Sequence, residues 1–200
     1  MRFSRRAWLL AAPTSLWAQA DDDAVRAGRA WRWPRDHGAH AGARNEWWYA
    51  TGWLEPPRNA PPIGFQVTFF RHRTGLAASL PGHLAPRQLL FAHAALSDIG
   101  AQRHWQLQRL QRELEGGVHA AFKLTLQMQA TQPLLLQGQG GHSRKGPLPQ
   151  QASHYYSLPH LHVRARVERD SRARELQGSA WLDHESVSYT HLTLPTNREV

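Results

Sequence analysis

The chain has 200 residues, a formal net charge of +9 at pH 7 and no cysteine. The lack of cysteine excludes disulfides and thiolate metal ligands, and the length suits one sizeable domain. The basic residues are scattered along the chain, which favours a solvated basic surface over a nucleic-acid groove and predicts no nucleic-acid partner.

Residues 1–20 have the pattern of an export signal. Arg2, Arg5 and Arg6 form a positively charged start, a short apolar stretch follows, and Ala18-Gln19-Ala20 offers a small-residue cleavage site. We therefore expect this signal peptide to be removed and the protein to be periplasmic. Because removal takes three arginines and no acidic residue, the net charge falls to +6. The arginine pair resembles a twin-arginine signal, but paired arginines are also common in general secretory signals, so the export route stays open.

The segment that follows the signal is polar and aperiodic. Residues 21–44 include Trp31-Arg32-Trp33-Pro34 and Asp36-His37-Gly38-Ala39-His40, without the alternation of a strand. The sequence therefore predicts an irregular arm over residues 21–34 and a domain that begins at residue 35.

The motif Asn45-Glu46-Trp47-Trp48-Tyr49 is the densest group of large side chains in the sequence. In a strand, Trp47 and Tyr49 fall on one face and Glu46 and Trp48 on the other, because side chains alternate. Two interpretations stay open. The motif is either a core strand of a barrel or sandwich with Glu46 in a salt bridge, or the wall of a pocket in which Glu46 orients an apolar ligand.

Short alternating segments fill the rest of the chain, separated by turns rich in Gly and Pro. These predicted strands lie at residues 63–70, 88–98, 120–130, 161–168 and 176–183, with a Gly/Pro loop at 75–87. Residues 103–114 fit either a helical stripe or an irregular strand, and their type stays open. Without intervening helical patterns, the arrangement predicts an all-β fold, an antiparallel barrel or sandwich, with Phe65 or Phe69 and Leu124 in its interior.

Three further segments carry candidate side chains. Residues 140–147 form a glycine-flanked basic loop that lacks the spacing of a phosphate-binding loop, which favours an ordinary turn. Tyr155 and Tyr156 are adjacent, so only one of them can face a core. Residues 181–185 set an indole and a carboxylate on one face, but three consecutive strand residues cannot converge on one ion. We therefore predict neither a metal site nor a cofactor.

Six motifs occur in the order seen in a known family. They are Asn45-Glu46-Trp47-Trp48-Tyr49-x-Thr51-Gly52, Gly64-Phe65-Gln66-x-Thr68-Phe69-Phe70-Arg71, Ala92-His93-x-Ala95-Leu96-x-Asp98, Ser143-Arg144-Lys145-Gly146, Tyr155-Tyr156-Ser157 and Trp181-Leu182-Asp183-His184-Glu185. With these motifs the chain resembles the carotenoid 1,2-hydratase (hydroxyneurosporene synthase) and AttH-type lipocalin-like proteins. The resemblance implies a lipocalin-like domain over residues 35–185, the first of the two barrels usual in the family.

The sequence departs from the family pattern in two places. The segment at residues 112–118 is shorter than in the family, which implies a missing strand or loop. After Glu185 the family continues with further strands, whereas residues 186–200 fit nothing upstream. We therefore expect a truncated domain followed by a foreign, poorly packed tail over residues 186–200.

The resemblance implies hydration of an isolated C=C bond in a hydrophobic, lipid- or polyene-like ligand. Such a reaction needs a proton donor, a surface that tolerates a carbocation, and a water. The residues that match are Asp183, His184 and Glu46 as catalytic groups and Trp47, Trp48, Tyr49, His93, Tyr155, Tyr156 and Trp181 as ligand contacts. Asp183 is the expected proton donor, Glu46 orients, and His93 or His184 positions the water. The alternative is a non-catalytic periplasmic protein that binds a lipid-like ligand and works with a membrane transporter.

Overall fold

The structure is a computed structural model that describes residues 25–58, 60–74, 88–111, 122–149 and 151–188. These residues form one antiparallel sheet. Its strands are β1 (Asn45–Glu55), β2 (Ile63–Arg73), β3 (Gln88–Asp98), β4 (Arg103–Gln111), β5 (Lys123–Ala130), β6 (Leu135–Leu136), β7 (His142–Arg144), β8 (Ala152–Arg169) and β9 (Arg172–Val187). Their order across the sheet is β4-β3-β2-β1-β9-β8-β5, and β6 and β7 pair with β8. Within the described residues no pairing joins β4 to β5, so the sheet is not closed into a barrel.

One face of the sheet forms the hydrophobic core. Leu54 of β1, Phe65 of β2 and Leu96 of β3 are each 3% exposed or less. Trp105 of β4 and Leu124 of β5 pack against the same cluster although they lie on the two end strands. The sheet therefore curls so that both ends reach one core. We call the face that carries Leu54 and Phe65 the inner face and the opposite one the outer face.

The predicted all-β antiparallel fold is confirmed. The strands predicted at 63–70, 88–98, 120–130, 161–168 and 176–183 lie in this sheet over their described residues, except that Phe122 precedes β5. Phe65 is in the core, whereas Phe69 is 54% exposed. The sequence left the secondary structure of residues 103–114 open, and the described part of this segment, residues 103–111, is a strand. The predicted loop at 75–87 and the segment at 112–118 lie outside the described residues.

Strand β8 is longer than predicted and contains a β-bulge. Its register against β9 shifts between Leu158 and Leu161. Pro159 lies at this irregularity, where its missing backbone N–H does not interrupt the ladder. The extra residue also reverses the alternation. Tyr156 faces inward before the bulge and Leu161 faces inward after it, and each is 2% exposed.

Strand β9 continues past the predicted end of the domain. Ser186 and Val187, the first two residues of the predicted foreign tail, belong to β9 and are 2% and 0% exposed. Val187 is paired with Asn45 of β1 on one side and Ser153 of β8 on the other. The predicted start of the tail is therefore corrected, because a residue between two paired strands is part of the sheet. Residues 189–200 lie outside the described residues.

From here on we use the word arm for residues 25–44, because no strand begins before β1 among the described residues. The arm contains a short 3-10 helix at Arg35–His37. The Trp31 indole N–H donates a hydrogen bond to the Gly140 carbonyl oxygen at 3.0 Å. Its ring packs edge-on against Tyr156, with 5.8 Å between ring centres. The arm therefore covers the inner face at the end of the sheet where β1 begins. Among the described residues, no helix is long and apolar enough to cross a membrane. The predicted export signal lies outside the described residues.

Candidate functional site

Glu46 is the centre of a buried polar network on the inner face. Its side chain is fully buried and accepts hydrogen bonds from Nδ1 of His40 at 2.6 Å and Nε2 of His184 at 2.9 Å. Arg71, directly opposite on β2, donates through Nε at 3.1 Å. Asp36 adjoins the other side of His40. We call Asp36, His40, Glu46, Arg71 and His184 the buried network.

Hydrogen bonding and burial set the protonation of this network. Burial alone would raise the pKa of Glu46, but hydrogen bonds from His184 and His40 outweigh it and lower the pKa from 4.5 to about 2. Burial lowers the pKa of His184, although Glu46 acts on it in the opposite direction. Near pH 7, Glu46 is therefore an anion and His184 a neutral ring, with the Arg71 guanidinium 2.9 Å from the carboxylate as its counter-ion.

The network extends into the arm through His40. Asp36 Oδ1 lies 3.3 Å from Nε2 of His40, and Asp36 is fully buried. Burial would raise the pKa of Asp36, but the backbone N–H of Arg32 at 2.7 Å and the guanidinium of Arg29 at 2.9 Å outweigh it and lower the pKa. Hydrogen bonds to charged groups are about twice as strong as neutral ones. The buried carboxylate of Asp36 and the ring of His40 therefore hold the arm against the sheet.

Aromatic rings enclose His184. Trp48 stacks on its ring with 4.6 Å between ring centres, and Tyr156 meets it edge-on at 5.1 Å. The Tyr156 hydroxyl is 2.8 Å from Nδ1 of His37 in the arm, and burial raises the pKa of Tyr156. These contacts fix the plane of the His184 ring. Its Nδ1 is buried and has no hydrogen-bond partner in the described part of the chain.

The donor set of the buried network includes three groups that could hold a metal ion. His40, Glu46 and His184 each offer one ligand atom, and these atoms lie within 4.8 Å of one another, as in a three-ligand zinc site. However, both rings already bond to the same Glu46 oxygen, and Arg71 places a positive charge against that carboxylate. A divalent cation here would be repelled by the guanidinium in a site shielded from water. The arrangement therefore fits a hydrogen-bond network better than a metal site.

Asp183 lies on the outer face and has different neighbours. Its Oδ1 accepts hydrogen bonds from the Ser157 hydroxyl at 2.5 Å and the Trp181 indole N–H at 2.7 Å. Burial, together with the charge of Asp183 and a hydrogen bond to it, raises the pKa of Tyr155 to about 12. Tyr49 is the residue opposite Asp183 on β1. We call Asp183, Trp181, Tyr155, Ser157 and Tyr49 the outer site.

An apolar row crosses the outer face beside the outer site. Trp47 of β1 is opposite Phe70 of β2, which is opposite Phe91 of β3, and their ring centres are 6.2 and 6.0 Å apart. Leu110 of β4 continues the row opposite Phe91. Phe91 and Leu110 are 40% and 57% exposed. We call Trp47, Phe70, Phe91 and Leu110 the outer apolar row.

The predicted site residues fall into two groups, because adjacent residues of a strand point to opposite faces. The outer face carries Trp47, Tyr49, Tyr155, Trp181 and Asp183, and the inner face carries Glu46, Trp48, Tyr156 and His184. The structure therefore does not bring Asp183 together with Glu46 or His184. His93 lies on β3 opposite Thr68, which is opposite Tyr49, so it shares the outer face with Asp183 but is two strands away from β1.

Sequence reasoning missed Asp36, His40, Arg71 and Ser157 as site residues. Asp36 and His40 lie in the aperiodic arm, where no pattern predicts a face. Their only signal is the spacing of two ionisable side chains four residues apart. Arg71 could have been found, because it shares a strand face with the core residue Phe65. A cation at an inward position requires a buried anion.

Comparisons with known proteins give one family and two solved structures that this chain resembles. A family model described as AttH-like matches residues 24–121 and 117–194. The crystal structure of an AttH protein from Nitrosomonas europaea superposes with a TM-score of 0.72 at 37% sequence identity, covering 84% of this chain and 59% of that chain. Kievitone hydratase from Nectria haematococca superposes with a TM-score of 0.49 at 10% identity, covering 72% of this chain and 48% of that chain. Among curated proteins, none matches the chain. The chain thus spans less than two thirds of each of these two solved proteins.

Proposed function

Because the chain belongs to the AttH-like family, we propose that the outer site acts on a hydrophobic, lipid- or polyene-like ligand by acid-catalysed hydration of a C=C bond. The observation that supports this is the Asp183 carboxylate, held by Trp181 and Ser157 on a sheet face rich in aromatic rings. A largely apolar surface with a few oriented polar groups is typical of small-molecule sites. The domain spans 59% of the N. europaea protein, so the proposal concerns the activity of a longer protein.

Asp183 supplies the proton in the first step. Because its Oδ1 accepts the hydrogen bonds from Ser157 and Trp181, we assign the transferable proton to Oδ2, and the carboxylate takes up this proton before the first cycle. Transfer of that proton to one alkene carbon breaks the π bond and leaves a carbocation on the other carbon and a carboxylate on Asp183. Water then forms a C–O bond to the cation, and the surplus proton of that water returns to Asp183. The cycle ends with an alcohol and a protonated Asp183.

Electron-rich rings stabilise the intermediate cation. The face of an aromatic ring attracts a cation within about 6 Å of its centre. Lys145 already lies 5.0 Å from the ring centre of Tyr155. We therefore assign the cation-stabilising role to Trp181, which is bonded to Asp183, and to Tyr49, which is opposite it on β1.

The buried network supports the outer site from the other side of the sheet. His184 follows Asp183 in β9, and its 2.9 Å contact with Glu46 ties β9 to β1. The side chains of Glu46 and His184 point away from a ligand on the outer face. In this proposal they are positioning residues. Glu46 orients the site by holding β1 and β9 together and does not contact the ligand.

The test uses a longer AttH relative and the position equivalent to Asp183. Asp183→Asn should abolish hydration of an apolar polyene while largely preserving its binding, because the amide keeps the shape but delivers no proton. Turnover is measured by mass spectrometry as the gain of one water, and binding by fluorescence titration. Glu175→Gln is the matched control, since Glu175 lies on the same strand and is 70% exposed. Undiminished hydration by Asp183→Asn would refute the proton-donor assignment.

The second candidate function is binding without turnover, and the outer apolar row favours it. Phe91 and Leu110 remain 40% and 57% exposed, and a lipid-like ligand would remove this apolar area from water. For such a protein, Trp47→Ala should lower the affinity for a polyene, whereas Asp183→Asn should change nothing beyond affinity. A role in the periplasm beside a membrane transporter is part of this second proposal.

A further inference from the structure

A cavity of about 260 Å³ lies at the end of the sheet away from the buried network. Its floor is apolar and consists of Ile63, Leu96, Trp105 and Val167. Ile63, Leu96 and Val167 are core residues, each 9% exposed or less. Along β8, Val167 is roughly 35 Å from Tyr156, at about 3.3 Å per residue. The cavity is therefore separate from both the buried network and the outer site.

The cavity lies where the described parts of the sheet are not joined by backbone pairing. The end strand β4 approaches the hairpin of β8 and β9, where the guanidinium of Arg169 lies 4.2 Å from the ring centre of Trp105. This cation–π contact links β4 to the hairpin, whereas no backbone pairing joins them within the described residues. A wedge-shaped space lies between β4 and the hairpin, and the hydrophobic core forms its floor.

The rim of the cavity carries a net positive charge, because Arg169, Arg172 and Arg174 outnumber Asp98 and Asp170. Asp170 is paired with Arg169 at 3.0 Å, and Oδ1 of Asp98 accepts a hydrogen bond from a backbone N–H of the following turn at 2.9 Å. Arg172 and Arg174 also line the cavity. In the part of the chain that the structure describes, no hydrogen bond or ion pair engages either of these two guanidinium groups. Among the described residues, Arg172 and Arg174 thus border the apolar floor without an ion-pair partner, and Asp98 lies on the same rim.

We propose that this cavity binds a small amphipathic carboxylate, with its hydrocarbon chain on the apolar floor and its carboxylate on Arg172 and Arg174. A guanidinium matches a carboxylate through two parallel hydrogen bonds, which suits arginine to this role. The volume of about 260 Å³ lies just below the range of roughly 300–1,000 Å³ for pockets that hold drug-sized ligands. A ligand with one short hydrocarbon chain therefore fits better than a whole lipid. Each methylene group that the floor buries strengthens binding about fourfold.

Isothermal titration calorimetry of the full chain with octanoate, octanol and acetate tests the proposal. Octanoate carries both the charge and the chain, octanol only the chain, and acetate only the charge. We expect octanoate to bind at least about tenfold more tightly than either of the other two. Equal affinity for octanol would mean that the arginines do not contribute, and an absence of binding at millimolar octanoate would mean that the cavity is not a site. Either result overturns the proposal.

The double variant Arg172→Gln, Arg174→Gln locates the binding. Its affinity for octanoate should fall roughly tenfold, because both charge partners of the carboxylate are lost. Arg164→Gln is the control, since Arg164 is an exposed residue of β8 that does not line the cavity, and octanoate affinity should remain unchanged. Circular dichroism establishes that the variants are folded. Undiminished affinity in the double variant, or an equal loss in Arg164→Gln, would contradict the assigned site.

Discussion

Replacing Glu46 by glutamine should destabilise the fold, because it removes the charge at the centre of the buried network. The carboxylate is fully buried and is bonded by His40, His184 and Arg71. Glutamine keeps the shape but leaves Arg71, which is 2% exposed, without its anion. Removal of one partner of a buried ion pair typically costs about 3–5 kcal/mol, because the remaining charge is uncompensated.

The pKa of Glu46 gives an independent magnitude. It falls from 4.5 to about 2 on folding, because hydrogen bonds from His184 and His40 outweigh the effect of burial. At about 1.4 kcal/mol for each pH unit between the two values, the ionised carboxylate contributes about 3 kcal/mol. Since the folded-state pKa is the lower one, this stability is fully present above pH 4.5 and is lost as the pH falls towards 2. For a chain of this size, about 3 kcal/mol corresponds to a melting temperature lower by roughly 6–12 °C.

Urea unfolding followed by tryptophan fluorescence measures this effect at a series of pH values. Glu46→Gln should unfold about 3 kcal/mol more readily than the wild type above pH 4.5, and the difference should shrink below it. Glu55→Gln is the matched control, because Glu55 is an exposed carboxylate on the same strand. A Glu46→Gln protein as stable as Glu55→Gln, or a difference that does not change on acidification, would refute the reasoning.

Three further predictions concern pH, packing and export. Burial lowers the pKa of His154 from 6.5 to about 4, so stability should be lost as the pH falls through this window, and His154→Gln should flatten the dependence of the urea midpoint on pH there; an unchanged slope would contradict this. Gly178→Ala should cost at least about 2 kcal/mol in thermal unfolding, because a Cβ would overlap the Trp53 carbonyl oxygen of the paired strand; wild-type stability would argue against this pairing. Replacement of Arg5 and Arg6 by lysine should block periplasmic accumulation if the export route is twin-arginine, whereas passage, detected by fractionation, would indicate the general secretory route.

The alternation of apolar and polar residues in the sequence determined the strands of this protein. The prediction for residues 88–98 coincides with β3, and the prediction for 63–70 falls within β2. The sequence also separated Glu46 and Trp48 from Trp47 and Tyr49, as the strand pairing of β1 confirms. Such features are predictable because a strand has a period of two, and that period is local to the chain.

The two-residue period was not sufficient for β8. The bulge between Leu158 and Leu161 adds one residue, so the faces of residues before it cannot be inferred from those after it. Only the paired strand β9 decides that Tyr156 faces the core side and Tyr155 the outer site. Asp183, the expected proton donor, lies on the opposite face from His184 because the two are adjacent in β9, and the pairing decides which face is the outer one. The sequence analysis placed Asp183 and His184 in one site, but the alternation of side chains along a strand puts them on different faces of the sheet.

The positions of the arm side chains could be learned only from the tertiary structure. Asp36 and His40 follow no period, and their chain neighbours do not indicate which way they point. His40 bonds Glu46, which is near in sequence, but Glu46 in turn bonds Arg71 and His184, which are 25 and 138 residues away from it. A carboxylate becomes buried only where several donors converge on it, and that convergence arises when the arm, β1, β2 and β9 are brought together by the fold.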